Sequence, residues 1–173
     1  MRLTDLGMRM RLLLLIITAI TIVSCNGARK SETFRVLEDV DSYIEARPDS
    51  ALAVLEGIDV EDLGSREEKA KYALLMSMAL DKNYIDRTDF EVLQPAIDYY
   101  ESHGSATDKL RTFYYQGRIY YNRGESEEAM ECLVKSIDLG SESNDLKTKA
   151  RNYTVQGTLY FLYYNWDKII ESG

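Results

Sequence analysis

The stretch Leu110–Ser141, LRTFYYQGRIYYNRGESEEAMECLVKSIDLGS, constrains this chain most, because it encodes two helices joined by a tight turn. Phe113, Gln116, Gly117 and Tyr120 fall at i, i+3, i+4 and i+7, one face of an α-helix. Asn122-Arg123-Gly124 interrupts that period, and Ser126 then offers an N-cap with Glu127 and Glu128 in the first turn. A second helical period carries Ala129, Leu133 and Ser136, and Gly140 stands where a left-handed C-cap would end it. Gly117 and Ala129 are small enough to let the two helices approach closely, while Phe113, Tyr120 and Leu133 fill the space around that contact.

The frame returns. Tyr153, Gln156, Gly157 and Tyr160 copy the first helix at a spacing of 40 residues, and Ile169 stands to Gly157 as Ala129 stands to Gly117. Upstream, Tyr72, Leu75, Met76 and Ala79 with Ala96 and Tyr100 make a degenerate unit, with Met76 in the small-residue position. Ala51, Leu55 and Ile58 read as the second helix of a still earlier unit. Helix signals punctuate the rest: Pro48 stops the helix bearing Phe34, Leu37, Val40 and Ile44, and Asp49 or Ser50 caps the next. Ser65 with Glu68 is a capping box, Thr88 or Asp89 opens the helix containing Pro95, and Asp108 caps the stretch described above. No segment alternates with period two over strand length, so the expected class is all-α, with helix hairpins at about 32–58, 65–103, 108–140 and 145–173.

Aromatic-x3-Gly-x2-Tyr followed by Ala-x3-Leu resembles the tetratricopeptide signature. With Asp49-Ser50-Ala51-Leu52, Tyr72-Ala73-Leu74-Leu75 and Ala79-Leu80-Asp81-Lys82, most of the chain resembles the tetratricopeptide-repeat lipoproteins common in Bacteroidetes. It departs from their pattern at Met76 and Ile169, where a small residue is usual, and at Ser141, where proline is. The resemblance implies antiparallel hairpins stacked as a right-handed α-solenoid, the first helix of each lining a concave groove. In that register Arg111, Tyr114, Arg118, Tyr121 and Asn122 face the groove from one repeat, and Arg151, Thr154 and Thr158 from the next. Guanidinium forks among phenols suit an extended acidic or carboxylate-bearing peptide. The competing reading pairs those arginines with the chain's own carboxylates. Phe113, Gly117, Tyr120, Ala129, Leu133, Tyr153, Gly157 and Tyr160 are the packing positions of the signature, so Tyr120, Tyr153 and Tyr160, among the 13 tyrosines, need no ligand to explain them. Tyr99, Tyr114 and Tyr121 stand off that face.

Residues 1–24 have the proportions of a lipoprotein signal peptide. Met8-Arg9-Met10-Arg11 is a basic n-region, and the apolar run Leu12–Val23 would rise only about 18 Å as a helix, short of a bilayer. Met8 or Met10 offers an alternative start. Ile22-Val23-Ser24-Cys25 resembles a lipobox, which implies cleavage before Cys25 and a covalent lipid on its sulfur. The alternative is a plain secreted protein with an incidental Cys25. Residues 25–31 then form a lipidated tether that lacks the acidic run of surface-exported relatives, which points to a periplasm-facing position. With Cys25 consumed, Cys132 has no disulfide partner and reads as a small buried hydrophobe.

Removal of residues 1–24 takes away three arginines and one aspartate and leaves a net charge of −10. So acidic a chain is a poor candidate for binding nucleic acid or anionic membrane surfaces. The one histidine, His103, sits beside Gly104 at a helix end, and no phosphate loop, HExxH or CxxC occurs, so an enzyme is not expected. No cofactor is expected beyond the lipid. The function implied is an anchored scaffold for a protein or peptide partner; a glycan-binding accessory and the sensor part of a longer regulator are the alternatives. Counting from Gly157, the last second helix should start near Trp166 and stop short, leaving Phe161, Leu162 and Trp166 partly exposed. A truncated frame, self-association through this end, or a partner that supplies the missing helix would each account for that.

Overall fold

The computed structural model describes residues 31–172, with side chains through Leu162. It contains α1 (Glu32–Tyr43), α2 (Pro48–Glu56), a 3-10 turn (Val60–Asp62), α3 (Arg66–Lys82), α4 (Gln94–Tyr100), α5 (Ala106–Arg123), α6 (Ser126–Leu139) and α7 (Leu146–Ser172). No strand occurs among the described residues, and the protein is all-α. The expected lipid anchor Cys25, its signal peptide and most of the tether lie outside the described residues.

The ends of these helices follow local chemistry, with several shifts from the sequence reading. Ser65 and Glu68 form the expected capping box: Glu68 N–H donates to Ser65 Oγ, and Ser65 N–H to Glu68 Oε2. At α5 the cap is Ser105 and not Asp108. Asp108 is the third helical residue and closes a second box by accepting the Ser105 N–H. Pro48 occupies the first position of α2, where its missing N–H costs nothing, so Asp49 and Ser50 lie inside the helix. Asp89 caps only a turn, by accepting the Glu91 N–H, and α4 starts later at Gln94. Ser126 is the first residue of α6, and Glu125 before it caps without a side-chain bond.

Two glycines play different parts. Gly124 ends α5 in the left-handed region at φ 80°. Gly140 does not adopt the expected left-handed cap; its φ is −95°. A Cβ there would lie 2.5 Å from Leu110 Cβ and 2.8 Å from the Ser136 carbonyl, so the absence of a side chain lets the end of α6 touch the start of α5.

Consecutive helices pack on one another, α5 on α6 most extensively. The odd-numbered helices also contact each other in sequence: α1 with α3, α3 with α5, α5 with α7. Between its neighbours α3 is buried nearly all round, through Ala70, Ala73, Leu74, Leu75, Met78 and Ala79. The core joins these to Leu37, Val40, Ile44, Leu55, Leu93, Leu110, Phe113 and Leu133.

The last hairpin is corrected by the structure. α7 runs without a turn from Leu146 to Ser172, through the expected break before Trp166. The physical reason is local. Forty positions after the left-handed Gly124 stands Tyr164, which enters that region at a steric penalty, and no glycine or proline occurs between Gly157 and Gly173.

Candidate interaction surface

At the α5–α6 contact the signature residues meet as their sizes require. Phe113, Ala129 and Leu133 are buried. A Cβ on Gly117 would lie 3.0 Å from Leu133 Cγ and 3.2 Å from the Ala129 carbonyl, so the helices are as close as a glycine permits. Tyr120 is half-buried, its ring edge-on to Phe90 at 4.9 Å. A buried polar chain ties α7 to this pair. Ser136 Oγ donates to the Leu110 carbonyl at 2.6 Å, Asn152 Nδ2 donates to Ser136 Oγ and to the Leu133 carbonyl, and Gln156 Nε2 donates to Asn152 Oδ1.

The arginines assigned to a ligand groove are occupied by the chain itself. Arg111 reaches Asp41 of α1 at 2.7 Å and Asp145, just before α7, at 2.6 Å. Asp41 also pairs with Lys71 of α3. Arg118 pairs with Asp81 at 2.9 Å, and its guanidinium lies over the half-buried Tyr121 ring at 5.3 Å. Arg151 donates to both oxygens of Glu45, at 3.0 and 2.7 Å, and Lys82 reaches the same carboxylate. These pairs stitch α1, α3, α5 and α7 into one layer. Tyr114 is buried, and Asn122 Nδ2 donates to the Arg87 carbonyl. Thr154 and Thr158 are exposed, but each hydroxyl donates to the carbonyl one turn back. The expected acidic peptide would have to displace carboxylates already in place.

Electrostatics follow the pairing. Burial opposes ionisation of Glu45, yet hydrogen bonds from Arg151 and Lys82 outweigh it and hold its pKa down at about 2. Asp145 is likewise lowered against its own burial, by the Thr148 N–H and by Arg111. Burial pushes Lys82 down, because its charged form is partly desolvated. Cys132 is pushed up to about 11 by burial, so its thiol is protonated at neutral pH.

The face of α7 that repeats the signature is open. Tyr153 and Tyr160, expected as packing residues, are 57% and 70% exposed, and Phe161 beside them is 64% exposed. A Cβ on Gly157 would meet nothing among the described residues within 4 Å. α7 therefore packs inward through Asn152 and Leu159, as α5 does through Thr112 and Ile119, but among the described residues its Gly157 side carries no counterpart of α6. Sequence reasoning missed a further exposed aromatic. Tyr84 is 94% exposed and holds φ 61°, the only left-handed non-glycine among the described residues. It closes α3, with the Ile85 N–H returning to the Leu80 carbonyl. Tyr99 stacks on His103 at 4.7 Å, and His103 Nδ1 lies 3.0 Å from the Tyr99 carbonyl at the end of α4. A cleft of about 520 Å³ lies between α3 and the segment before α4, with Tyr72, Met76 and Val92 among its walls. Among the described residues no group of histidine, cysteine and carboxylate side chains is disposed to hold a metal ion, and no helix is long and apolar enough to cross a membrane.

Fold and surface thus define an all-helical protein whose consecutive helices pack on one another, with one face of α7 exposed among the described residues. No family model, curated protein or solved structure matches the chain.

Proposed function

We propose that this chain is a lipid-anchored, periplasm-facing repeat lipoprotein of the tetratricopeptide type, its helix pairs stacked as a right-handed solenoid, and that it acts as a protein–protein interaction scaffold. The observation that carries the reading is the repetition of the α5 face on α7 with its packing side exposed. Repeat architectures bury each helix face against the next unit, so an open face in register with a buried one is where such a protein joins something else. The site of interaction is therefore placed on α7. The arginine-bearing side of the odd helices, closed by internal ion pairs, serves to hold the pairs together. The anchor rests on the basic n-region, the short apolar run and the tetrapeptide ending in Cys25.

Metabolic labelling with a fatty acid tests the anchor. Label should enter the wild-type chain and be absent from Cys25→Ala, which should also remain unprocessed. Label persisting in Cys25→Ala would refute it.

A further inference from the structure

One carboxylate joins the two ends of the helical layer. Glu45 lies just after α1, yet Arg151 of α7 donates to both its oxygens across 106 positions of chain. Lys82, the last residue of α3, reaches the same group at 2.6 Å. α1 packs chiefly on α2 and α3, and α7 on α5 and α6, so side chains make the tie between first and last helix. Tyr114 lies against this tie. It is 3% exposed, and the charges of Asp81, Arg118, Arg151 and Glu45 all act on its phenol, which burial pushes up to about 12. A second tie runs from Asp41 to Asp145 through Arg111. The two differ in their contact with water: the Arg151 side chain is 38% exposed and that of Arg111 14%. Water and salt therefore compete for the Glu45 tie first.

We infer that Glu45 and Arg151 form a latch that closes the arginine-bearing side of the molecule over Tyr114, and that its release uncovers the Tyr114 ring while the fold persists. Glu45 supplies from within the chain the bidentate carboxylate that a guanidinium at the mouth of a groove would otherwise take from a ligand. The contact is autoinhibitory in that sense: the side whose register faces a groove is shut by the chain's own acid. Release leaves the helices packed. The Arg111 tie still holds α1 to α5, and the Asn152 bonds to Ser136 and the Leu133 carbonyl still hold α7 to α6. What opens is the space between Glu45 and Arg151. The latch does not depend on the scaffold reading, because the exposed Gly157 face of α7 plays no part in it.

Nitration of the purified chain with tetranitromethane, mapped by mass spectrometry, reads the latch at single tyrosines. In the wild type Tyr84, which is 94% exposed, should be modified, and Tyr114 and Tyr100 should be protected. Arg151→Met removes the charge and keeps an unbranched stem. It should raise the nitration rate of Tyr114 about tenfold or more, the change expected when a charge-assisted bond no longer holds the closed state. Glu45→Gln, which keeps the size of the side chain, should do the same. Tyr100, 3% exposed on α4, reports the fold and should stay protected in both variants. The inference is overturned if Tyr114 is as well protected in both variants as in the wild type. It is equally overturned if Tyr100 and Tyr114 lose protection together, because the pair would then support the whole fold and not a latch. Nitration of Tyr114 at the Tyr84 rate in the wild type would show that nothing is closed. Labelling at Cys25 and crosslinking from position 160 decide the scaffold reading separately, so either can fail without the other.

Discussion

Gly117 and Gly157 share one register and meet opposite surroundings, which makes them a matched pair of probes. Gly117→Leu drives a side chain into Leu133 and the Ala129 carbonyl and should destabilise the chain by about 2–4 kcal/mol. Gly157→Ala adds a methyl group in open space and a better helix former, and should stabilise by about 0.5–1 kcal/mol. Thermal or urea melts of both variants decide; equal losses would mean that α7 is covered like α5. Both glycines were legible as signature positions, because periodicity is local. Exposure was not, since it depends on which helix comes next. Tyr84 shows the opposite limit. Nothing in its neighbours marks it, yet it holds a left-handed φ that favours glycine, so Tyr84→Gly should raise stability by roughly 1 kcal/mol. A lower melting point for that variant would show that the ring makes a contact outweighing the strain.

Helices were read most reliably where a signal lies within one turn. The Ser65–Glu68 box fell where the sequence put it, and the Asp108 cap was misplaced by three residues because Ser105 and Asp108 each cap the other's backbone. Ser105→Ala should cost about 1 kcal/mol, measured by urea denaturation, and an unchanged midpoint would show that the cap contributes nothing. The long α7 was misread for a different reason. Hairpin phasing was counted from Gly157, but phasing does not make a turn. A residue able to stop the helix does, and Tyr164 stands in its place.

Across the whole molecule, the arginines were seen in the sequence but their partners were not. Arg111 meets a carboxylate 70 positions away and Arg151 one 106 positions away, separations that no local pattern encodes. The consequence is acid sensitivity. The Glu45 carboxyl is lowered from 4.5 to about 2 on folding, so its contribution is fully present above pH 4.5 and is lost as pH falls towards 2. Asp145, also lowered, adds loss in the acid range. Urea midpoints should therefore hold near neutrality and fall below about pH 4.5. Glu45→Gln should lower the neutral value, because Arg151 and Lys82 lose their counter-charge, and should flatten the acid slope. A slope identical to wild type would show that this pairing contributes nothing in solution.

The central claim is that α7, and not the arginine-bearing side, is where this protein meets its partner. Site-specific photocrosslinking in cells tests it most directly, with a benzoyl-phenylalanine placed at Tyr160 in one strain and at Tyr121 in another. The account predicts a heteromeric adduct from position 160 and none from position 121. An adduct from position 121 alone, or only a dimer of this chain from position 160, would contradict it.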